Sequence, residues 1–272
     1  METNITSTGI KGGWALILGA SSGFGEAAGL ALAQFGMNIF GVHLDRRATM
    51  PNVERIIGQI EATGRQAVFF NTNAADAARR QETLDQMQSA LEMSGQREGV
   101  RVLLHSLAFG TLKPFIAPTP TEAIRELDMN MTLDVMANSL VYWVQDLLAR
   151  KMLGPGGKIF AMTSAGGHRV WPSYGAVSAA KAALESHIRQ LALELAPLQI
   201  SANSIRAGVT DTPALRRIPG NEVMINRVLE LNPGGRLTTT QDVAETLVAL
   251  CQARPWMTGN IIGVDGGEDL VG

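Results

Sequence analysis

The sequence has one cysteine, Cys251, and so cannot close an internal disulfide. That fits a reducing compartment, and the thiol reads most simply as a small core residue on a helix. Neither sign of charge is in excess: 23 Lys and Arg face 25 Asp and Glu, for a net charge of −2. With the signs interspersed, there is no concentrated basic surface for nucleic-acid phosphates and no polybasic patch for an anionic membrane. No uninterrupted apolar run reaches the ~20 residues that a membrane span needs. The opening METNITSTGIKGG lacks a basic start followed by an apolar run. No secretory signal is expected, and the expected location is cytoplasmic. Linkers, low-complexity stretches and repeats of solenoid period are also absent. What remains is a globular chain with 46% hydrophobic residues, enough for a large core.

That core is patterned. Short apolar runs alternate with longer amphipathic segments. Strands are expected at Trp14–Leu18, Asn38–His43, Ala67–Asn71, Val100–Ser106, Lys158–Thr163, Ile200–Ile205 and Asn260–Val264. Helices are expected at Gly25–Phe35, Asn52–Thr63, Asp76–Met93, Thr121–Met152, Tyr174–Leu195 and Thr239–Gln252, several of them stopped by Gly or Pro. Strands alternating with helices imply right-handed crossovers and a parallel sheet covered on both faces. The expectation is an α/β single domain, a Rossmann-type doubly wound sheet of about seven strands over residues 13–272, after an N-terminal tail, 1–12. Residues 213–233 break the alternation just after the sixth strand, where open α/β sheets bind ligands; they read as a substrate lid or as an ordinary surface excursion.

Gly19-Ala20-Ser21-Ser22-Gly23-Phe24-Gly25 follows the first strand and opens the first helix. Glycines here permit a tight turn and a close approach to a pyrophosphate, and the helix start offers free N–H groups to the phosphates. A glycine-rich turn can be only a turn, but the strand–turn–helix context is the one dinucleotide binding requires. Further on, Tyr174 and Lys181 stand seven residues apart, close to two helical turns, so both lie on one face. An ammonium beside a phenol lowers its pKa, and the pair can donate to a carbonyl oxygen that gains charge during hydride transfer. Without the glycine turn upstream, the pair would read as one packed ring and one surface amine.

The Gly-x-x-x-Gly-x-Gly spacing resembles the short-chain dehydrogenase/reductase superfamily, and the resemblance runs over nearly the whole chain. It implies a nicotinamide cofactor held by Gly19, Ser21, Ser22, Gly23, Phe24 and Gly25, with Asn73 and Ala74 at the adenine. Asn130 matches the family's helix asparagine, a proton-relay residue, or else is a buried amide. Ala207-Gly208-Val209-Thr210-Asp211-Thr212 resembles the Pro-Gly-x-x-x-Thr segment that holds the nicotinamide carboxamide, so Val209 and Thr212 are expected there, with Ala207 in place of proline. The family's usual acidic position at the end of the second strand falls on His43. Arg46 and Arg47 suit a 2′-phosphate, which favours NADPH, while Asp45 keeps NADH open.

Most superfamily members have Tyr-x-x-x-Lys, but here the residue four before Lys181 is Val177. Tyr-x6-Lys resembles the enoyl-[acyl-carrier-protein] reductase branch. His105-Ser106-Leu107-Ala108 resembles that branch's His-Ser-(Ile/Leu)-Ala segment, which places Ser106, Leu107 and Ala108 at the cofactor. The segments Val177–Glu185 and Gly208–Leu215 resemble the NADPH-dependent type III enoyl reductases, as does Ser164, seventeen residues before Lys181. The implied reaction is reduction of a trans-2-enoyl thioester carried by acyl carrier protein in fatty acid synthesis. Tyr174 would hold the enolate oxygen, Lys181 would anchor the ribose, and Ser164 would be a second donor or a structural strand-end serine. Phe109, Trp171, Leu215, Ile218, Val223 and Met224 are candidates for an acyl tunnel, and Arg216 and Arg217 for contact with an acidic carrier. A homodimer or homotetramer is expected. Two other readings stay open: a short-chain dehydrogenase acting on a ketone or secondary alcohol, and a non-enzymatic NAD(P)-binding sensor.

Overall fold

A computed structural model of the protein describes residues 10–94 and 99–271. β1 (Trp14–Leu18), β2 (Asn38–His43), β3 (Ala67–Asn71), β4 (Val100–His105), β5 (Leu153–Ser164), β6 (Ser201–Ala207) and β7 (Ile261–Val264) form one parallel sheet. Among the described residues its order is β3-β2-β1-β4-β5-β6-β7. The chain leaves β1 in one direction and returns to β4 on the other side, which opens a crevice between them at the carboxyl ends.

β1 shows why the sheet is buried on both faces. Its five residues are all buried, with Trp14, Leu16 and Leu18 in one core cluster and Ala15 and Ile17 in the other. Successive side chains point to opposite faces, so a strand covered on both sides must be apolar throughout. Trp14 also stacks on Phe40 of β2, with ring centroids 3.9 Å apart.

Helices α1 (Gly23–Phe35), α2 (Met50–Glu61), α3 (Ala77–Met93), α4 (Glu126–Leu133), α5 (Ser139–Ala149), α6 (Gly175–Leu195), α7 (Asn221–Leu231), α8 (Thr240–Gln252) and α9 (Glu268–Val271) connect or follow the strands. Their ends have local causes. Gly36, at φ +109, closes α1 through its N–H to Ala33 O. The Thr239 hydroxyl and Asp242 carboxylate cap α8 reciprocally. None of the described helices is long and apolar enough to cross a membrane.

Several element ends shift by a few residues from the sequence reading, and β5 begins five residues before the expected Lys158. Of the helical region expected at Thr121–Met152, only residues 126–149 are helical, as α4 and α5 joined by a π-helical turn, Asp134–Asn138. At its end the Ser139 hydroxyl donates to Val135 O at 2.9 Å and pairs with His105 Nε2, also at 2.9 Å. Apolar periodicity does not register one extra residue in a turn. The excursion at 213–233 contains a 3₁₀ turn, Leu215–Arg217, and α7. Of the expected tail, residues 1–9 lie outside the described residues, while Ile10 is fully buried in the core.

Candidate active site

The carboxyl ends of β1, β2, β4, β5 and β6 open into a cleft of about 1230 Å³. β1 runs straight into the glycine turn, where Gly19 has φ +93 and Gly23 has φ +57, conformations that glycine adopts freely. A Cβ on Gly19 would lie 2.5 Å from the Ser106 carbonyl oxygen, and one on Gly25 would lie 1.9 Å from that of Gly19. Gly25 therefore lies beneath the turn and does not line the cleft, while Gly19, Ser21, Ser22, Gly23 and Phe24 do. Ser22 makes no side-chain cap, so the amides of the first turn of α1 are left for a bound anion.

At the β2 end, His43 and Arg46 line the cleft, as do Asn73 and Ala74 beyond β3. His43 is buried, and its Nδ1 meets Asp45 Oδ2 at 3.0 Å. Burial pushes the Asp45 carboxyl up, but the hydroxyls of Thr49 and Ser21 and the His43 ring outweigh it and hold the group below the ordinary carboxylate range. Arg47 is exposed and outside the cleft lining. The buried Thr72 hydroxyl, also on the cleft wall, has no hydrogen-bond partner among the described residues.

Tyr174 and Lys181 line the opposite part, with Ser106, Leu107 and Ala108 following β4. Tyr174 stands at the start of α6, and the residue before it, Ser173, holds φ +62. A left-handed non-glycine residue costs roughly 1–3 kcal/mol, a strain that recurs where the backbone aims a functional side chain. Burial raises the Tyr174 phenol above its ordinary value, partly offset by Ser164. Ser164 Oγ is buried at the end of β5, close enough to the phenol to lower its pKa, yet it has no well-formed hydrogen bond among the described residues. Lys181 is buried and donates to Met162 O at 2.7 Å. Burial brings its ammonium down to about 8, with Glu185, one turn on, opposing the shift. The orphaned hydroxyls of Thr72 and Ser164, at opposite ends of a cleft floored by the glycine turn, fit an elongated polar group such as a dinucleotide.

Val209 and Thr212 line the cleft after β6, but the Val209 N–H already donates to Glu268 Oε2 at 2.9 Å. Phe109, Trp171, Leu215, Ile218 and Met224 line it too, whereas Val223 is 64% exposed and outside the lining. Trp171 Nε1 donates to Pro219 O at 2.9 Å, which ties the 213–233 segment across the opening. Arg217 lines the cleft, and Arg216 is engaged bidentately by Asp211 at 2.8 Å.

Asn130 departs from expectation, as Gly25 and Val223 do. It is exposed and absent from the lining, while Met131 and Val135 take the cleft side. Residues i and i+4 share a helix face, and Asn130 lies about 100° away from Met131. Sequence reasoning missed Glu268, Glu185 and Thr72. The acid following Asp265-Gly266-Gly267 was the only visible signal for Glu268.

The family model described as Enoyl-(Acyl carrier protein) reductase matches residues 19–268. The chain belongs to this family, within the short-chain dehydrogenase/reductase superfamily. Among its relatives, the 1-cyclohexenylcarbonyl-CoA reductase of Streptomyces collinus is 28% identical over 94% of this chain and 86% of its own length. The enoyl-[acyl-carrier-protein] reductase [NADH] of Aquifex aeolicus is 32% identical over 63% of each chain. A 3-oxoacyl-[acyl-carrier-protein] reductase of Aggregatibacter actinomycetemcomitans is 28% identical over 93% of this chain and 97% of its own. The solved Aquifex aeolicus enoyl reductase superposes with a TM-score of 0.79 at 24% identity, covering 97% of this chain and 98% of that one, a likeness of fold. These relatives thus include both enoyl and 3-oxoacyl reductases by name, and the chain is an oxidoreductase of the short-chain type.

Proposed function

We propose that the protein is an enoyl-[acyl-carrier-protein] reductase of the cytoplasm, reducing trans-2-enoyl thioesters with NADPH in fatty acid synthesis. One observation carries this reading. Tyr174 and Lys181, seven residues apart, line one cleft, and the residue in the common tyrosine position is Val177, which has no proton to give. A phenol displaced by one helical turn suits a different reacting oxygen from that of a ketone at the same nicotinamide.

When bound, the reduced nicotinamide supplies the hydride, which goes to the β-carbon of the substrate. Charge then gathers on the thioester oxygen as an enolate, and a proton taken from solvent adds to the α-carbon. Tyr174, whose raised pKa keeps its proton, donates a hydrogen bond to that oxygen. Ser164 Oγ, buried beside the phenol, is a second donor. Lys181 supplies positive potential and reaches the ribose hydroxyls. Gly19, Ser21, Ser22, Gly23 and Phe24 hold the pyrophosphate, and Val209 and Thr212 the carboxamide. Arg46 at the cleft rim favours the 2′-phosphate of NADPH, while Asp45 and the NADH-named relative keep NADH as the alternative. The acyl chain runs past Leu215, Ile218 and Met224 under the 213–233 segment, which acts as a lid, and Arg217 meets the acidic carrier. A homodimer or homotetramer paired through α5 and α6 completes the reading.

The test is oxidation of NADPH and of NADH with a crotonyl thioester against a β-ketoacyl thioester. Turnover of the enoyl substrate is expected; turnover of the ketone alone overturns the proposal in favour of a ketoreductase.

A further inference from the structure

Lys181 and Glu185 stand one turn apart on α6, on the same helix face, and both are buried. They reach the same strand. The Lys181 ammonium donates to Met162 O at 2.7 Å, and the next residue of β5, Thr163, donates its hydroxyl to Glu185 Oε1 at 2.7 Å. Ser164, beside the Tyr174 phenol, follows directly. β5 therefore meets α6 at two adjacent residues, one through a cation and one through an anion, just before the serine at the phenol.

The carboxylate sits in a space kept open for it. A Cβ on Gly167 would lie 3.0 Å from Glu185 Oε1 and 3.5 Å from Oε2, so a side chain there would crowd the acid. Thr163 is itself buried, and Glu185 gives its hydroxyl a partner. The acid does not touch the ammonium, since each group spends its hydrogen bond on β5; they interact across one helical turn. Of the three ammonium donors, one goes to Met162, which leaves two for the cleft. Burial works against the charge on Lys181, and Glu185 opposes that effect. His105 of β4 also interacts with Lys181, but burial brings its ring down to about 3 and leaves it neutral.

We propose that Glu185 is a positioning residue that acts through Lys181: its carboxylate, fixed on β5 by Thr163, is the counter-charge that lets a buried ammonium serve the cleft. This rests on the reading that Lys181 serves a nicotinamide cofactor there. An acid held one turn away supplies negative potential without occupying the ammonium's remaining donors.

Carbon-13 NMR of the lysine Cε signals in the free protein reads the Lys181 charge directly, with Lys181 assigned by the signal lost in Lys181→Met. The parent midpoint is expected at about 8. Glu185→Gln keeps the shape and an acceptor for Thr163 but removes the charge, and its midpoint should fall by about 1 in pH. Glu185→Asp retains the charge and should stay closer to the parent. The alkaline limb of kcat/KM with NADPH and a crotonyl thioester should move with the midpoint, a loss of about 5-fold at pH 8 in the Gln variant. An unchanged midpoint in Glu185→Gln, even with a lower melting temperature, overturns the proposal in favour of a packing role. A midpoint that falls while the alkaline limb stays in place overturns the link to turnover. If Glu185→Gln does not fold, Thr163→Val decides: it releases the carboxylate from β5, the midpoint should again fall, and an unchanged one overturns the proposal. A parent that reduces no thioester overturns the proposed function alone, because the NMR titration needs neither cofactor nor substrate.

Discussion

The Lys181 ammonium donates to the carbonyl oxygen of Met162 at 2.7 Å, which fixes it beneath the end of β5. Burial brings this group down to about 8, against the ordinary lysine value of 10.5. Between those values the folded chain has lost the proton and the unfolded chain keeps it, so the residue's contribution to stability rises with pH. Below about 8 both states carry the charge, and the burial penalty is felt in full. Denaturant unfolding of the parent and Lys181→Met at pH 7 and pH 9.5 checks this. The parent should gain on the variant at the higher pH; a constant difference contradicts the depressed pKa.

Ser164→Ala separates a catalytic hydroxyl from a structural one. The Oγ has no well-formed hydrogen bond among the described residues, so its removal strands no partner. Stability should shift by less than about 0.5 kcal/mol. Turnover of an enoyl thioester should fall about 10²- to 10³-fold, the loss of one donor to a developing oxyanion. A large drop in melting temperature with unchanged turnover would make Ser164 a strand-end serine only.

Gly25→Ala tests the turn that floors the cleft. The new methyl would sit 1.9 Å from a backbone oxygen of Gly19, with no flexible side chain able to yield. Destabilisation of at least ~1–3 kcal/mol is expected, together with loss of NADPH binding. Normal melting and normal NADPH titration would contradict the packing described.

Arg46→Ala tests the choice of cofactor. Arg46 is exposed at the rim near Asp45, where a 2′-phosphate would lie in the proposed pose. Losing one charge-assisted hydrogen bond, about 1.5–3 kcal/mol, should weaken NADPH about 10- to 100-fold and leave NADH unchanged. Equal effects on both would remove the basis for preferring NADPH.

Much of this was legible in the sequence because the relevant signals are local. β1, β2 and β3 were readable to the residue from their short apolar runs, the first two buried throughout and β3 only partly, with Asn71 exposed. The glycine turn and the Tyr174–Lys181 spacing are equally local, since each is fixed by one turn or one helix. What escaped depends on tertiary geometry. The motif match falls on Asn130, but Met131 of α4 and Val135 of the π-helical turn face the cleft instead. The Glu268–Val209 contact joins residues 59 apart, and no periodicity announces it. The π-helical turn before Ser139 was equally silent in the apolar pattern.

The account stands most directly on Tyr174. Single-turnover oxidation of NADPH with a crotonyl thioester, by the parent and by Tyr174→Phe, isolates its role from binding. The variant should lose about 10²- to 10³-fold in rate, as expected for one lost oxyanion donor, with NADPH affinity unchanged. An unaltered rate in Tyr174→Phe, or a parent that binds NADPH and reduces no thioester at all, would contradict the assignment, and the second result would point to a cofactor-binding protein without this chemistry.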